Sequence, residues 1–268
     1  MLIKARDRFA IPNSRLAGFD PSHVAGKNVF VSALSVGSNF LSLLNGARGT
    51  LVGTPTAPAY DSLIGRATAF TSAQATQFSS YTTTPAAVTF GAIIRTGALA
   101  GFDPLLSTGS NAAGFAFYAS RSGDVAIDCF AGGTVHSGFG LVNNTAYFIV
   151  GSFDQTTTSW SFAVCNLLNG SIKSSKGSTN PTPTNTYNGL FNIGSFQGNQ
   201  CQSTLAAAMH STKFLSVNEL LQWAEDPWSF WFPSSVSGGI DHGDLIVGAA
   251  AGIIAPSKAA NFTMMGVG

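Results

Sequence analysis

Asp124 and Asp128, four residues apart in the run DVAIDCF, are the strand-borne acids nearest to a paired-carboxylate arrangement in this chain. Side chains alternate along a strand, so positions four apart share a face. Two carboxyls on one face could serve as acid and nucleophile on a glycosidic bond, which a retaining mechanism needs about 5–5.5 Å apart. The chain has only two glutamates, Glu219 and Glu225, and neither belongs to that strand. Asp124 and Asp128 are therefore read as residues flanking a hairpin. The histidines add little chemistry. His23 lies in a loop, His210 sits beside Met209 in a strand, and His242 is near the C-terminus. His136, in GGTVHSGFG, has a neighbouring serine but neither a nucleophile elbow nor an acid partner visible in sequence, so no Ser-His-Asp set is expected. Gly132-Gly133 and Gly138–Gly140 fit no phosphate-binding loop. The expectation is a protein that is not an enzyme.

The remaining chemistry-bearing residues are aromatic: Trp223, Trp228, Phe230, Trp231 and Phe232. Exposed, they could stack on sugar rings; placed after a helix, they are expected to seal the edge of a sandwich or a subunit contact. That helix is legible in Ser216-Val217-Asn218-Glu219, a capping box in which the serine hydroxyl accepts from the Glu219 N–H and the carboxylate accepts from the Ser216 N–H. Leu220, Leu221, Trp223 and Ala224 give it a narrow apolar face, and Pro227 stops it for want of an N–H.

Upstream of the helix the chain reads as strands. Ala87–Arg95 alternates cleanly. Phe115–Ser120 and Val125–Phe130 flank the turn Arg121-Ser122-Gly123-Asp124, and Ala146–Phe153 pairs with Ser159–Cys165 across Asp154–Thr158. Asn169-Gly170 is a strong turn signal, and Ser171–Lys173 can pair back after it. Residues 174–188, rich in Ser, Thr and Pro, read as a polar loop. About a dozen short strands without βαβ alternation predict an all-β antiparallel jelly-roll sandwich with one short C-terminal helix and extended terminal arms. The expected boundaries are an arm at 1–28, a sandwich at 29–233, and a linker with an apolar tail at 234–268.

Charged residues make up 9% of the chain against a usual ~25%, and the net charge is +1. Such a surface is either hydroxyl- and amide-rich or covered by partners, and it offers no basic stripe for nucleic acid. Cys129, Cys165 and Cys201 are an odd count with no CxxC, so they are read as buried free thiols. Met1–Phe9 has no apolar core of a signal peptide, and Leu245–Ala255 is about half the ~20 residues of a membrane span, so no membrane is expected. Lys4, Arg6 and Arg8 in the basic start, Trp228 and Trp231, and Leu245, Ile246, Ile253, Ile254 and Phe262 in the tail are the candidate assembly contacts.

The hairpin SFDQTTTSWSFAVCNLLNG and the ending FNIGSFQGNQCQSTLAAAMHSTKFLSVNELLQWAEDPW, with its L-S-x-x-E, short helix and proline-aromatic stop, resemble laminin-G-like, concanavalin A-like lectin jelly rolls. The G-T-L-V-G and G-x-A-x-x-F segments at residues 49–53 and 65–70 resemble that family's opening, and the loop GFDPSHVAG is similar to those of such domains in tailed-phage virion proteins. The resemblance implies a virion structural protein acting through self-association or contacts with capsid or tail proteins, or alternatively a module recognising surface glycans. Glucanases of the superfamily resemble one another in an E-x-D-x-x-E strand, which is absent here. A rim calcium site is also implied, for which Asp154, Asn143 and Asn144 are the available oxygens, although no cofactor is expected.

Overall fold

The computed structural model describes residues 17–18, 20–71, 73–80, 85–99, 101–108, 114–129, 132–179, 189–196 and 199–232. The chain divides into two units, Met1–Ser235 and Val236–Gly268. The second unit lies wholly outside the described residues, as do Lys4, Arg6 and Arg8. The tail residues Leu245, Ile246, Ile253, Ile254 and Phe262 share that position.

Among the described residues the strands are β1 (Val29–Ser35), β2 (Phe40–Ser42), β3 (Thr50–Val52), β4 (Thr68–Ala69), β5 (Ala75–Ser79), β6 (Ala87–Arg95), β7 (Phe102–Thr108) and β8 (Phe115–Arg121). They continue as β9 (Asp124–Cys129), β10 (Gly133–His136), β11 (Ala146–Asp154), β12 (Ser159–Asn166), β13 (Ile172–Ser178), β14 (Leu190–Gly194) and β15 (Thr204–Ser211), followed by the helix α1 (Val217–Glu225). One sheet runs β13-β12-β11-β6-β15-β1-β2, with β4 also pairing β15. The other runs β10-β9-β8-β7-β14-β5-β3. All pairings between these strands are antiparallel, which gives the expected jelly-roll β-sandwich.

Alternation decides which side chains meet. Phe115, Phe117 and Ala119 of β8 turn inward with Phe90 of β6, Phe153 of β11, Phe162 of β12 and Phe191 of β14. Their rings stack within this inter-sheet core; Phe90 and Phe117 lie 5.8 Å apart. The opposite positions of the larger sheet, Ile93, Phe148, Val150, Ala163 and Met209, face outward yet are buried. They are covered by Leu215, Leu220, Trp223, Trp228, Phe230 and Trp231. The larger sheet is thus apolar on both faces, and α1 with the aromatic segment forms a third layer.

This placement extends the expected edge seal inward. Trp223 packs 4.9 Å from the ring of Phe148 on β11. A Cβ added at Gly91 of β6 would stand only 2.8 Å from the same indole. Both strands are central in the sheet, so Trp223 reaches its middle, while the body of α1 lies over β12 and the edge strand β13. Trp228 and Trp231, expected as subunit contacts, are 1% and 0% exposed inside this layer and present no surface to a partner. The capping box is as expected: Ser216 accepts from Glu219 N, and the Glu219 carboxylate accepts from Ser216 N at 2.8 Å. Lys213 adds an ion pair to Glu219 at 2.9 Å.

Two further expectations are revised. Residues 17–18 and 20–28 pack onto the C-terminal layer, with Gly18 N donating to Trp231 O and Lys213 Nζ to Val24 O. The polar stretch after Lys173 continues as strand to Ser178, because β13 is a sheet edge whose backbone pairing with β12 needs no apolar alternation.

Candidate functional site

The β8–β9 hairpin is built by its turn. Ser122 and Gly123 both have positive φ, 54° and 98°, the combination whose twist matches paired strands. This register sets Arg121 opposite Asp124, while β7 brings Phe102 opposite Arg121. The pairing is irregular between Tyr118 and Arg121, a distortion of the kind that re-aims side chains.

The Arg121 guanidinium lies over the Phe102 ring at 4.5 Å and 5.3 Å from that of Tyr118. Its Nη2 pairs with Asp128 Oδ2 at 2.9 Å, and Thr134 of β10 donates to Asp128 Oδ1 at 3.3 Å. Beside them His136 Nδ1 stands 3.6 Å from Asp124 Oδ2. Phe102 is 41% exposed, and the Asp124 and His136 side chains are 33% and 40% exposed, whereas Asp128 is down to 9%. An open aromatic and an open acid therefore border an ion pair whose carboxylate is nearly buried and whose arginine is 26% exposed. Burial pushes the Asp128 carboxyl above the usual carboxylate range against the opposing pull of Arg121. Burial, aided by Asp128, pushes the Tyr118 phenol up to about 12.

Several expectations change here. His136 gains the acid partner that the sequence did not show, because β9–β10 pairing brings Asp124 to it. Its neighbour Ser137 has its hydroxyl committed to the Phe139 carbonyl at 3.1 Å and is no nucleophile for it. Asp124 and Asp128 flank the hairpin as expected, but they also belong to this cluster. Sequence reasoning passed over Phe102, Tyr118 and Arg121. The available signal was the concentration of Arg121, Asp124 and Asp128 within eight residues of a chain that is 9% charged.

The suggested calcium oxygens do not converge. Asn143 and Asn144 precede β11 and Asp154 ends it, so about 27 Å of nine-residue strand separates them. Asp154 accepts from Thr156 N and the Thr157 hydroxyl, and Asn143 from Leu99 N. Among the described residues no three His, Cys, Asp or Glu side chains gather as a metal site. Asp103 is wholly buried and accepts from Gln202 N, Ser203 N and the Ser203 hydroxyl, which clips β7 to the approach of β15. The three cysteines are free and buried, with burial pushing each thiol up. No described helix is long and apolar enough to cross a membrane.

The sequence matches no protein-family model and no curated protein. Solved structures do resemble it. Domain 4 of AbnA, a GH43 extracellular arabinanase from Geobacillus stearothermophilus in complex with arabinotriose, aligns at TM-score 0.52 and 10% identity over 72% of this chain and 99% of that one. A mutant GH54 α-L-arabinofuranosidase aligns at 0.50 and 10% identity over 73% and 51% of the two chains. Trypanosoma rangeli sialidase in complex with sialic acid aligns at 0.50 and 13% identity over 83% and 37%. The chain thus spans about half the arabinofuranosidase and less of the sialidase. At these identities the likeness establishes the β-sandwich fold without singling out the laminin-G lineage. It also corrects the expectation of a non-enzyme. Sandwiches of this shape are carried by glycoside hydrolases, and the missing E-x-D-x-x-E strand speaks only to one hydrolase lineage.

Proposed function

We propose that the sandwich is a carbohydrate-recognition module of a phage virion, holding a sugar on the platform formed by Phe102 and Arg121. The carrying observation is Phe102, 41% exposed at a hairpin end with a guanidinium stacked on it and carboxylates alongside. An exposed ring offers an apolar face to the C–H side of a pyranose or furanose. The flanking planar polar groups fix its hydroxyls. Phe102→Ala should weaken binding to any glycan selected on an array by at least about ten-fold, ~1.4 kcal/mol. Its melting temperature should fall only modestly, since a half-exposed ring with one cation–π contact contributes on the order of 1 kcal/mol. Unchanged affinity in the variant would place the site elsewhere.

A hydrolytic reading draws on a separate observation. Asp128 is an acid held above its usual range by burial, the property of a proton donor, and Asp124 lies on the same strand face. If the site cleaves glycosidic bonds, Asp128→Asn abolishes turnover; if wild type releases no sugar from a glycan it binds, recognition stands alone.

The termini supply the assembly role in this proposal. Lys4, Arg6 and Arg8 and the tail residues Leu245, Ile246, Ile253, Ile254 and Phe262 would dock on neighbouring subunits or tail proteins, with the low charge of the chain as the support. Full-length protein should then form a defined oligomer in solution, and a chain ending at Pro233 should be monomeric. Two monomers of matching behaviour would remove self-association through the tail.

A further inference from the structure

We infer that the Phe102–Arg121 site selects neutral glycans and discriminates against those bearing a carboxylate. This rests on the glycan-binding reading and adds the chemical class of ligand. A lone exposed arginine would favour an anionic sugar, because its planar fork matches a carboxylate. Here the fork is already answered. Asp128 pairs with Arg121 at 2.9 Å and is itself 9% exposed. An incoming carboxylate that took its place would leave Asp128 buried without its partner, a costly state. Asp124 adds a second negative charge, one-third exposed beside His136. With both carboxylates ionised, the formal sum over Arg121, Asp124, Asp128 and His136 is therefore −1 with a neutral imidazole and zero with a protonated one.

A neutral sugar meets none of these obstacles. A guanidinium has five N–H donors, and Asp128 is the one ion-pair partner of Arg121 among the described residues. The remaining donors can serve hydroxyl oxygens, while hydroxyl protons go to the open oxygens of Asp124. The pattern suits vicinal hydroxyls, which donate and accept in turn, and it does not suit a carboxylate, which only accepts.

The test is calorimetric titration of the full chain with matched pairs: lactose against 3′-sialyllactose, and arabinotriose against a galacturonic acid trimer. In the pair that binds, the neutral member should bind at least about ten-fold more tightly. The gap should narrow in Asp124→Asn, which removes one repelling charge at a partly exposed position, and also in raised salt, which screens it. Equal or tighter binding of the acidic member, with Phe102→Ala still abolishing binding, overturns the selectivity and leaves glycan recognition standing. Binding of neither member of either pair, with no hit on a wider array, overturns glycan recognition itself and the selectivity with it. A melting curve of Asp124→Asn matching wild type assigns any narrowing to charge rather than to misfolding.

Discussion

Trp223→Ala should destabilise the sandwich by about 3–5 kcal/mol, a large share of the ~5–15 kcal/mol typical of a domain. The indole is wholly buried and is the hub of the third layer. It meets Phe148 at 4.9 Å, His23 at 5.1 Å, Phe230 at 5.3 Å and Trp231 at 5.6 Å, and its N–H donates to the Pro227 carbonyl. Truncation leaves a cavity that its neighbours cannot easily fill. β6 and β11 below it are held at fixed spacing by the sheet, and residues above are tied by Gly18–Trp231 and Lys213–Val24 hydrogen bonds. Trp228→Ala, at a ring that is 1% exposed and packs on Trp231 and Phe232, should also cost about 3–5 kcal/mol. Urea denaturation checks both. A loss under about 1 kcal/mol for Trp223→Ala would mean that the outer layer melts separately from the sandwich. Leu168→Ala, at a 53% exposed position, is the control and should stay within about 0.5 kcal/mol.

How far the sequence announces this arrangement depends on whether the signal is local. The capping box of α1, the alternation of β6 and the hairpin turns are local, and each is where the sequence places it. β7 is not legible, because Pro104 has no N–H and demotes the run as a strand; the structure accommodates it at irregular pairing with β8. β10 hides in a glycine-rich stretch that reads as loop. The face covered by α1 is equally hidden. An apolar stripe says that the helix is buried, while only the outward row of Ile93, Phe148 and Val150 says against what. The site is illegible for the same reason. Its residues come from four strands, β7 to β10, and Phe102 reaches Arg121 only through the pairing of a strand that the sequence conceals.

Acid should destabilise the protein above the pH at which ordinary carboxylates protonate, and two buried histidines are the cause. His23 sits between the rings of Trp223 and Phe230, accepts from Ala25 N at Nδ1, and so carries its hydrogen on Nε2, directed at Ser229 Oγ. Burial lowers its pKa to about 4, with Asp20 opposing and Lys213 assisting. His210 lies in the inter-sheet core, stacked 4.7 Å from Phe90 and 5.3 Å from Phe191, with Nδ1 donating to the Thr89 carbonyl. Burial lowers its pKa to about 3. Above pH ~6.5 both histidines are neutral, folded or unfolded, and contribute no slope. Below it the unfolded chain binds protons that the folded chain refuses, so stability falls by on the order of 1.4 kcal/mol per pH unit for each group. The loss for His23 ends near pH 4 and that for His210 near pH 3. The two together reach at most about 5 kcal/mol by pH 4.5. Asp103 and Asp128 act in the opposite sense, because burial raises their pKa and protons bound by the folded state flatten the slope. Asp61 and Glu219, whose pKa values are lowered, add their loss only as pH falls below the unfolded carboxylate range. The slope from pH 6.5 to 4.5 is therefore the histidine loss less whatever the two raised carboxyls return. Urea midpoints should drop steadily across it in wild type, and in His23→Gln the slope should shrink by roughly half whatever the variant costs at pH 7. Equal slopes in wild type and His23→Gln across this window would mean that the fold does not hold the His23 imidazole neutral.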